Sequence, residues 1–500
     1  MMYKKQIEEY FNLHKDEMLE DICKVIRIKS DRQEPKEGMP FGEGVVKVLK
    51  EALDIASNMG FATNNYDNYV GTVDFNDKEK ALDILAHLDV VPAGDEWTVT
   101  EPYEPIIKDG KLYGRGSADD KGPAIVALYA LKAVKDLNIP LNKNVRLILG
   151  TDEECGSSDI EYYYKIEKEA PMTFSPDADF PVINVEKGGL KANFIADFKE
   201  DRTLPRIISV NSGVKVNVIP DKAIAVIEGI EKNEVEKYCD TVTNKIGVKF
   251  TVNEENNKCI IEAKGKGAHA AYPEGGNNAL TGILTLLSSM PFADSEGFEK
   301  LCGINKLLPH GDYKGEAIGV KMADEVSGEL TLSFTIFEYT TTGLKGTFDC
   351  RAPLCANDEN LRDVVAKNLN NIGVILEPCN VFEGHYVDEN SDFVQTLLRC
   401  YEMYSGKKGE CIAIGGGTYV HHIKNGVAFG CTMPGTDNNM HGNDEFAVID
   451  ELILSAKIFT QAIIELCKSN QQKRHARRVM QRLTDMSFNF SYANFSSIIC

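Results

Sequence analysis

Apolar residues recur at helical spacing from the start of the chain. Tyr10, Phe11, Met18, Leu19, Ile22, Val25 and Ile26 fall on one face of a helix over 2–28, and a second amphipathic helix covers about 42–58. The period then changes. YVGTVDF (69–75) and ALDILAH (81–87) read as strands, the second apolar almost throughout and therefore buried. DDKGPAIVALYALKAVKDL (119–137) reads as a helix with acids at its start and Lys near its end, both favourable to its dipole. VRLILG (145–150) is another buried strand. Strands alternating with helices predict an α/β domain on a mostly parallel sheet.

From about 187 the texture becomes α+β. LKANFIADF, KAIAVIEGI and KCIIEAKGKG are strand-like, helical stretches follow near 277–290 and 295–308, and 329–353 is a strand pair followed by a helix at 357–371. Buried-strand α/β character returns at CIAIGG (411–416) and VAFGCTMPG (427–435), and an amphipathic helix closes the pattern at about 446–468. The expected organisation is a discontinuous catalytic domain, 1–186 and 383–468, interrupted by an inserted α+β lid domain, 187–382. The last segment, 469–500, holds KRHARR, nets +4 from five Lys/Arg and one Asp, and shows no helical period, so it reads as a disordered tail.

Charge narrows the function classes. Lys+Arg 55 against Asp+Glu 76 gives −21, the wrong sign for a sequence-independent nucleic-acid binder or for docking to anionic lipid. Thirteen scattered cysteines without a C-x-x-C pair suggest reduced thiols instead of a disulfide framework. No N-terminal apolar h-region and no run of ~18 mostly apolar residues is present, so the expected compartment is the cytoplasm.

Chemistry-bearing residues gather at strand ends. His87 and Asp89 in LAHLDVVP are two apart and can point to one side, which suits a metal-bound imidazole and its carboxylate partner, or a structural histidine. Asp119 and Asp120 follow a Gly/Ser-rich loop, where they read as helix caps or as a metal-bridging pair. Asp152, Glu153 and Glu154 follow a buried strand; three acids this close repel unless a cation sits among them. SPDADFP offers Asp177 and Asp179, and MPGTDNNMHGNDEF offers His441 in a polar loop. Two His and several carboxylates from separate strand ends are the right stock for two Zn²⁺ bridged by one carboxylate.

With AHLDVVP, YGRGSADDKG, TDEECGSSD, SPDADFP, GKGAHAAYPEGGNNA, IGGGTY and MHGNDEF in this order, the chain resembles the dinuclear-zinc peptidases that include aminoacylase, glutamate carboxypeptidase and desuccinylase, the PepV-type dipeptidases most of all. The resemblance spans about 5–468. It implies one zinc on His87, Asp119 and Asp177 and the other on Asp119, Glu154 and His441, with Mn²⁺ or Co²⁺ as substitutes. It also implies Glu153 as general base, Asp89 as the orienter of His87, and a cis peptide between Asp119 and Asp120. His269 becomes the oxyanion donor, supplied by the insertion within the same chain, so the enzyme is expected to work as a monomer on a small peptide, with no nucleic-acid or membrane partner.

Arg351 in FDCRAP matches the arginine that receives a substrate carboxylate, a task suited to its bidentate fork. Asn217 would assist at the carbonyl or carboxylate, Gly415, Gly416 and Gly417 could present backbone N–H groups, and Asp179 could meet a free amino end. One departure stands out: relatives usually carry Arg after G-G-T-Y-x, whereas His421, without permanent charge or fork geometry, stands here. His14, His310, His385 and His475 read as ordinary. The leading expectation is a zinc-dependent dipeptidase. The alternatives are an N-acyl-amino-acid deacylase on the same fold, such as a desuccinylase, and a non-catalytic peptide- or metal-binding protein.

Overall fold

The computed structural model describes residues 3–468. Its chain forms two compact units, one from 3–184, 387–412 and 418–468, the other from 185–386 and 413–417. The tail read as disordered lies outside the described residues.

The first unit is built on strands β1 (Ala62–Tyr66), β2 (Val70–Asp74), β3 (Lys80–His87), β4 (Asn144–Gly150), β5 (Met172–Ser175), β6 (Val182–Glu186) and β7 (Gly426–Ala428). They lie in the order β1–β2–β4–β3–β5–β7–β6. The centre, β4–β3–β5–β7, is parallel, while β1–β2, β2–β4 and β7–β6 are antiparallel. The sheet is therefore mixed, with parallel strands where it is most deeply buried.

Helices α1 (Lys4–Ile26), α2 (Glu43–Asn58), α3 (Lys121–Asp136), α4 (Asp392–Ser405) and α5 (Ile449–Leu466) belong to this unit. α3 is buried on every side from Ala124 to Leu131 because it packs on β3, α1 and α5 together. The alternation of β3 sets the site. Leu82, Ile84, Ala86 and Leu88 enter the large core shared with the helices, whereas Leu85 joins a smaller cluster with Ile148, Tyr163 and Tyr419. His87 thus shares the side of Leu85, at the carboxyl end of a parallel strand.

The second unit, taken by itself, holds an antiparallel sheet ordered Lys249–Glu255, Lys258–Lys264, Lys222–Glu228, Arg206–Ser212, Thr331–Tyr339, Gly343–Ala352, Gly188–Asp197, Ile375–Leu376. Leu190, Ala192, Phe194 and Ala196 are buried and alternate with more exposed residues, the mark of a sheet covered mainly on one face. Helix Ala279–Ser288 packs on that sheet, and helices Lys232–Ile246 and Glu296–Leu307 pack beside it.

Three local readings differ from the sequence expectation. The run 427–435 is two short strands, β7 and Cys431–Thr432. The break falls at Gly430, whose φ is +81° and where a Cβ would stand 2.3 Å from the Phe180 ring. The closing helix begins at Ile449, after Phe446–Val448 has paired with Lys111–Tyr113. The helix expected from Asp119 begins at Lys121, and the Asp119–Asp120 peptide before it is cis.

Candidate metal centre

Five segments bring their acids and histidines together in the first unit. His87 ends β3, Asp119 ends the loop before α3, Glu154 lies in the short turn Glu153–Cys155 after β4, and Asp177 follows β5. His441 comes from the loop before α5, with φ +62°. The central contact belongs to Asp119. Its Oδ1 lies 3.0 Å from His87 Nε2, and its Oδ2 lies 2.8 Å from His441 Nε2. His87 Nε2 is 3.5 Å from Asp177 Oδ2, and His441 Nε2 is 3.2 Å from Glu154 Oε1. Two donor sets result, His87–Asp119–Asp177 and Asp119–Glu154–His441, each with one atom per residue within 4.8 Å of the others. Asp119 is common to both.

The electrostatics fit divalent cations. Burial opposes charge on His87, yet Asp119, Asp177 and Asp89 raise its pKa well above the ordinary value. Asp119 and Glu154 raise His441 to about 11. Burial, then repulsion from Asp119, lifts Glu154 to about 7. Asp119 is lowered despite burial, because His441 and His87 at its two oxygens favour the charged carboxylate. Acids and imidazoles this crowded hold protons where a metal would place positive charge. Buried His87 Nε2, Asp119 Oδ1 and Glu154 Oε1 also approach their neighbours without completing a hydrogen bond. Orphaned buried donors and acceptors are costly, and two His with three carboxylates are a borderline N/O set that suits Zn²⁺, Mn²⁺ or Co²⁺. The residues therefore fit a metal pair.

A second layer holds these ligands. His87 Nδ1 hydrogen-bonds the Asp89 backbone carbonyl at 3.0 Å and lies 3.4 Å from the buried Asp89 Oδ1, and the Asp89 carboxylate accepts the backbone N–H groups of Glu153 (3.2 Å) and Glu154 (3.1 Å). The three consecutive acids part company. Asp152 accepts from Arg32 Nη1 at 2.5 Å and from Ser158, whereas Glu153 and Glu154 stand in the turn beside the donor sets. Burial, then Asp177, Glu154 and Asp119, raises the Glu153 carboxyl against the pull of His87. Asp120 occupies the helix-cap position but does not cap; its Oδ2 accepts the His87 backbone N–H at 2.9 Å.

Three residues of this layer escape sequence reasoning. Glu445 accepts from Arg115 and from the 116–119 backbone. Tyr419, fully buried, donates its hydroxyl to Asp159 at 2.5 Å and stands edge-on to His87. Asp159 also accepts the Thr151 and Asp152 N–H groups. Their partners are backbone groups or distant side chains, so only Glu445, the second acid of the HGNDE run, gave any signal.

The remaining predicted residues fall in the second unit, apart from His421 and Asp179. His269 and Asn217 are exposed neighbours on a two-residue ladder, Val218 opposite His269, with the Ala270 N–H donating to the Asn217 carbonyl at 2.9 Å. Arg351 is not a free fork. Nε and Nη2 bind the two oxygens of Asp349 (2.6 and 2.9 Å), and Nη1 donates to the Gly415 carbonyl at 2.6 Å. Gly415 is buried, Gly416 half-buried and Gly417 exposed, and a Cβ at Gly415 would stand 3.0 Å from Ala271 Cβ. In the first unit His421 is half-buried beside His422, and Asp179 is exposed on the strand pair with Thr432.

Metal-ligand sets gathered at the carboxyl ends of a parallel sheet define a metallohydrolase. The chain belongs to peptidase family M20/M25/M40, whose model matches residues 84–465, and it is a peptide-bond hydrolase. It is 36% identical over 467 residues to YtjP of Bacillus subtilis (strain 168), covering 91% of this chain and 98% of that one. It is 34% identical over 473 residues to the Beta-Ala-Xaa dipeptidase of Lactobacillus delbrueckii subsp. lactis, covering 93% and 99%. Its fold matches human carnosine dipeptidase 1 with TM-score 0.57 at 17% identity, covering 93% and 99%.

Proposed function

We propose that the protein is a zinc-dependent dipeptidase acting on short peptides with a free amino end, with Mn²⁺ or Co²⁺ as possible replacements for zinc. The observation that carries this reading is Asp119, whose two carboxylate oxygens each meet the histidine of a different donor set. His87, Asp119 and Asp177 would hold one ion; Asp119, Glu154 and His441 the other. When bound, such a pair supplies Lewis acidity that polarises a carbonyl and lowers the pKa of water toward ~7.

The chain's own groups do the rest. Glu153, kept partly buried among acids, accepts a proton from the attacking water and returns it to the leaving amine. Asp89 orients the His87 imidazole and holds the Glu153–Glu154 backbone, which fixes base and ligand together. Family membership supports His269 as the donor to the tetrahedral oxyanion, and Arg351, Asn217 and Gly415–Gly417 as the group for the carboxylate end. Arg351, anchored by Asp349, retains N–H groups at its Nη atoms beyond those it spends on Asp349 and Gly415. Asp179 offers the negative charge that an amino end needs, and an acid there disfavours a succinyl group. The name borne by the Lactobacillus relative supports β-alanyl dipeptides as the first substrates to try. We place the enzyme in the cytoplasm as a monomer; among the described residues no helix is long and apolar enough to cross a membrane.

The test is an assay of purified protein on a dipeptide, a tripeptide and an N-succinyl amino acid, with and without chelator. Dipeptide cleavage that chelator removes and Zn²⁺ or Mn²⁺ restores is the expected result, with the tripeptide inert. Cleavage of the succinyl compound alone would replace this reading with a deacylase.

A further inference from the structure

Glu445 belongs to neither donor set, yet its carboxylate is bound by the backbone of the loop that carries Asp119 and by Arg115. It is fully buried. Its Oε1 accepts the N–H groups of Gly116 (3.1 Å), Ala118 (2.9 Å) and Asp119 (3.2 Å), and its Oε2 accepts Arg115 Nη1 at 2.6 Å. Its own carbonyl accepts the Gly114 N–H at 3.0 Å. Arg115, equally buried, extends the link: Nη2 donates to the Gly442 carbonyl at 2.9 Å, next to His441. The loop carrying Asp119 and the loop carrying His441 are some 320 residues apart in sequence, and this one ion pair sews them together.

His441 needs such support. Its side chain is 52% exposed, it sits at φ +62°, and the other ties of its loop, the turn from Asn439 to Gly442 and the Asp444 carboxylate accepting from Thr98 and Val99, do not reach the loop of Asp119. His87 differs, since β3 and the Asp120 carboxylate fix its backbone directly. Asp177 has its own anchor, an N–H donated to Ser175 Oγ after β5. The burden of the Glu445–Arg115 pair therefore falls on the set that joins the two loops, Asp119–Glu154–His441.

Resting on the two-metal reading above, we infer that Glu445, with Arg115, is a positioning residue for the metal held by Asp119, Glu154 and His441. It holds the bridging carboxylate and the His441 imidazole in one relative placement, and the other ion depends on it less. Partners that orient metal ligands typically carry about 10–100-fold in metal affinity. A buried carboxylate that served only the fold would lower both affinities alike.

The experiment is a stepwise Zn²⁺ titration of the chelator-stripped full chain against a chromophoric chelator. His441→Ala identifies which of the two steps belongs to the second set. Glu445→Gln keeps the shape but gives up the charge opposite Arg115 and one acceptor. It should weaken the His441-dependent step 10–100-fold and leave the other within about threefold of wild type. Trp97, the only tryptophan, lies 5.5 Å over the Arg115 guanidinium, so its fluorescence should follow the same step in the wild type and shift midpoint in the variant. Should Glu445→Gln not fold, Arg115→Lys keeps the charge, loses the reach to Gly442, and should weaken the same step. Equal weakening of both steps, or none, overturns the inference while leaving the metal pair standing. A wild type that binds fewer than two ions overturns the pair itself, and this inference with it.

Discussion

Asp119 is the residue on which the chemistry turns, because its two oxygens serve different histidines. In the metal-free protein the neighbouring acids hold His87 and His441 protonated, so cations must displace those protons. Zinc binding should accordingly release protons, and affinity should rise with pH; calorimetry in buffers of different ionisation enthalpy measures the release, and a titration without any would contradict the assignment of these imidazoles. Glu153 is treated as base and not as ligand. Glu153→Gln should cut kcat by ~10²–10⁴ with metal content unchanged, whereas loss of metal from that variant would make it a ligand. Of the acids and histidines that sequence motifs single out, His87, Asp119, Glu154, Asp177 and His441 gather into the two sets, whereas Asp152 turns to Arg32 and Asp179 lies opposite Thr432. Glu445 and Tyr419 stayed hidden because a buried carboxylate and a buried phenol announce themselves only through partners hundreds of residues away.

At the scale of elements, the parallel centre of the sheet positions the ligands, and one ion pair pins two of its adjacent strands. Asp83 on β3 stands opposite Arg146 on β4, and the guanidinium binds both carboxylate oxygens, at 2.8 and 2.7 Å, with all atoms buried. Removing one partner strands a charge in a low-dielectric interior. Arg146→Met should destabilise the unit by about 3–5 kcal/mol, and the double variant Asp83→Leu/Arg146→Met should regain most of it. Urea unfolding measures both; additive losses would show that the two residues are not coupled. β3, β4 and α3 were legible because their apolar runs are long and bounded. The run 427–435 reads as buried-strand character throughout, because hydrophobicity does not report the turn at Gly430, where the Phe180 ring leaves no room for a Cβ. β1, ATNNY, is polar and pairs only at the sheet edge, so no period marked it.

For the molecule as a whole, the change of texture near 187 and its reversal near 427 come from different burial, whereas the strand Cys411–Ile414, expected to be buried, is half-buried and 413–417 belongs to the second unit. Strands covered on both faces read as solid apolar runs, while the second unit's sheet alternates. We propose that the first unit holds the metal pair and that residues of the second recognise substrate. His269→Ala should therefore lower kcat by ~10²–10³ without changing metal content. Because that histidine is taken to act within its own chain, activity per mole should stay constant on dilution; a fall on dilution would point to a partner subunit supplying it.

The most direct single measurement is the rate of dipeptide hydrolysis by the chelator-stripped protein as Zn²⁺ is returned in measured equivalents, beside Asp119→Ala. No activity is expected without metal, with recovery to a plateau at two equivalents and no recovery in the variant. Hydrolysis that persists through chelation, or an Asp119→Ala protein that recovers like the wild type, would contradict the two-metal reading.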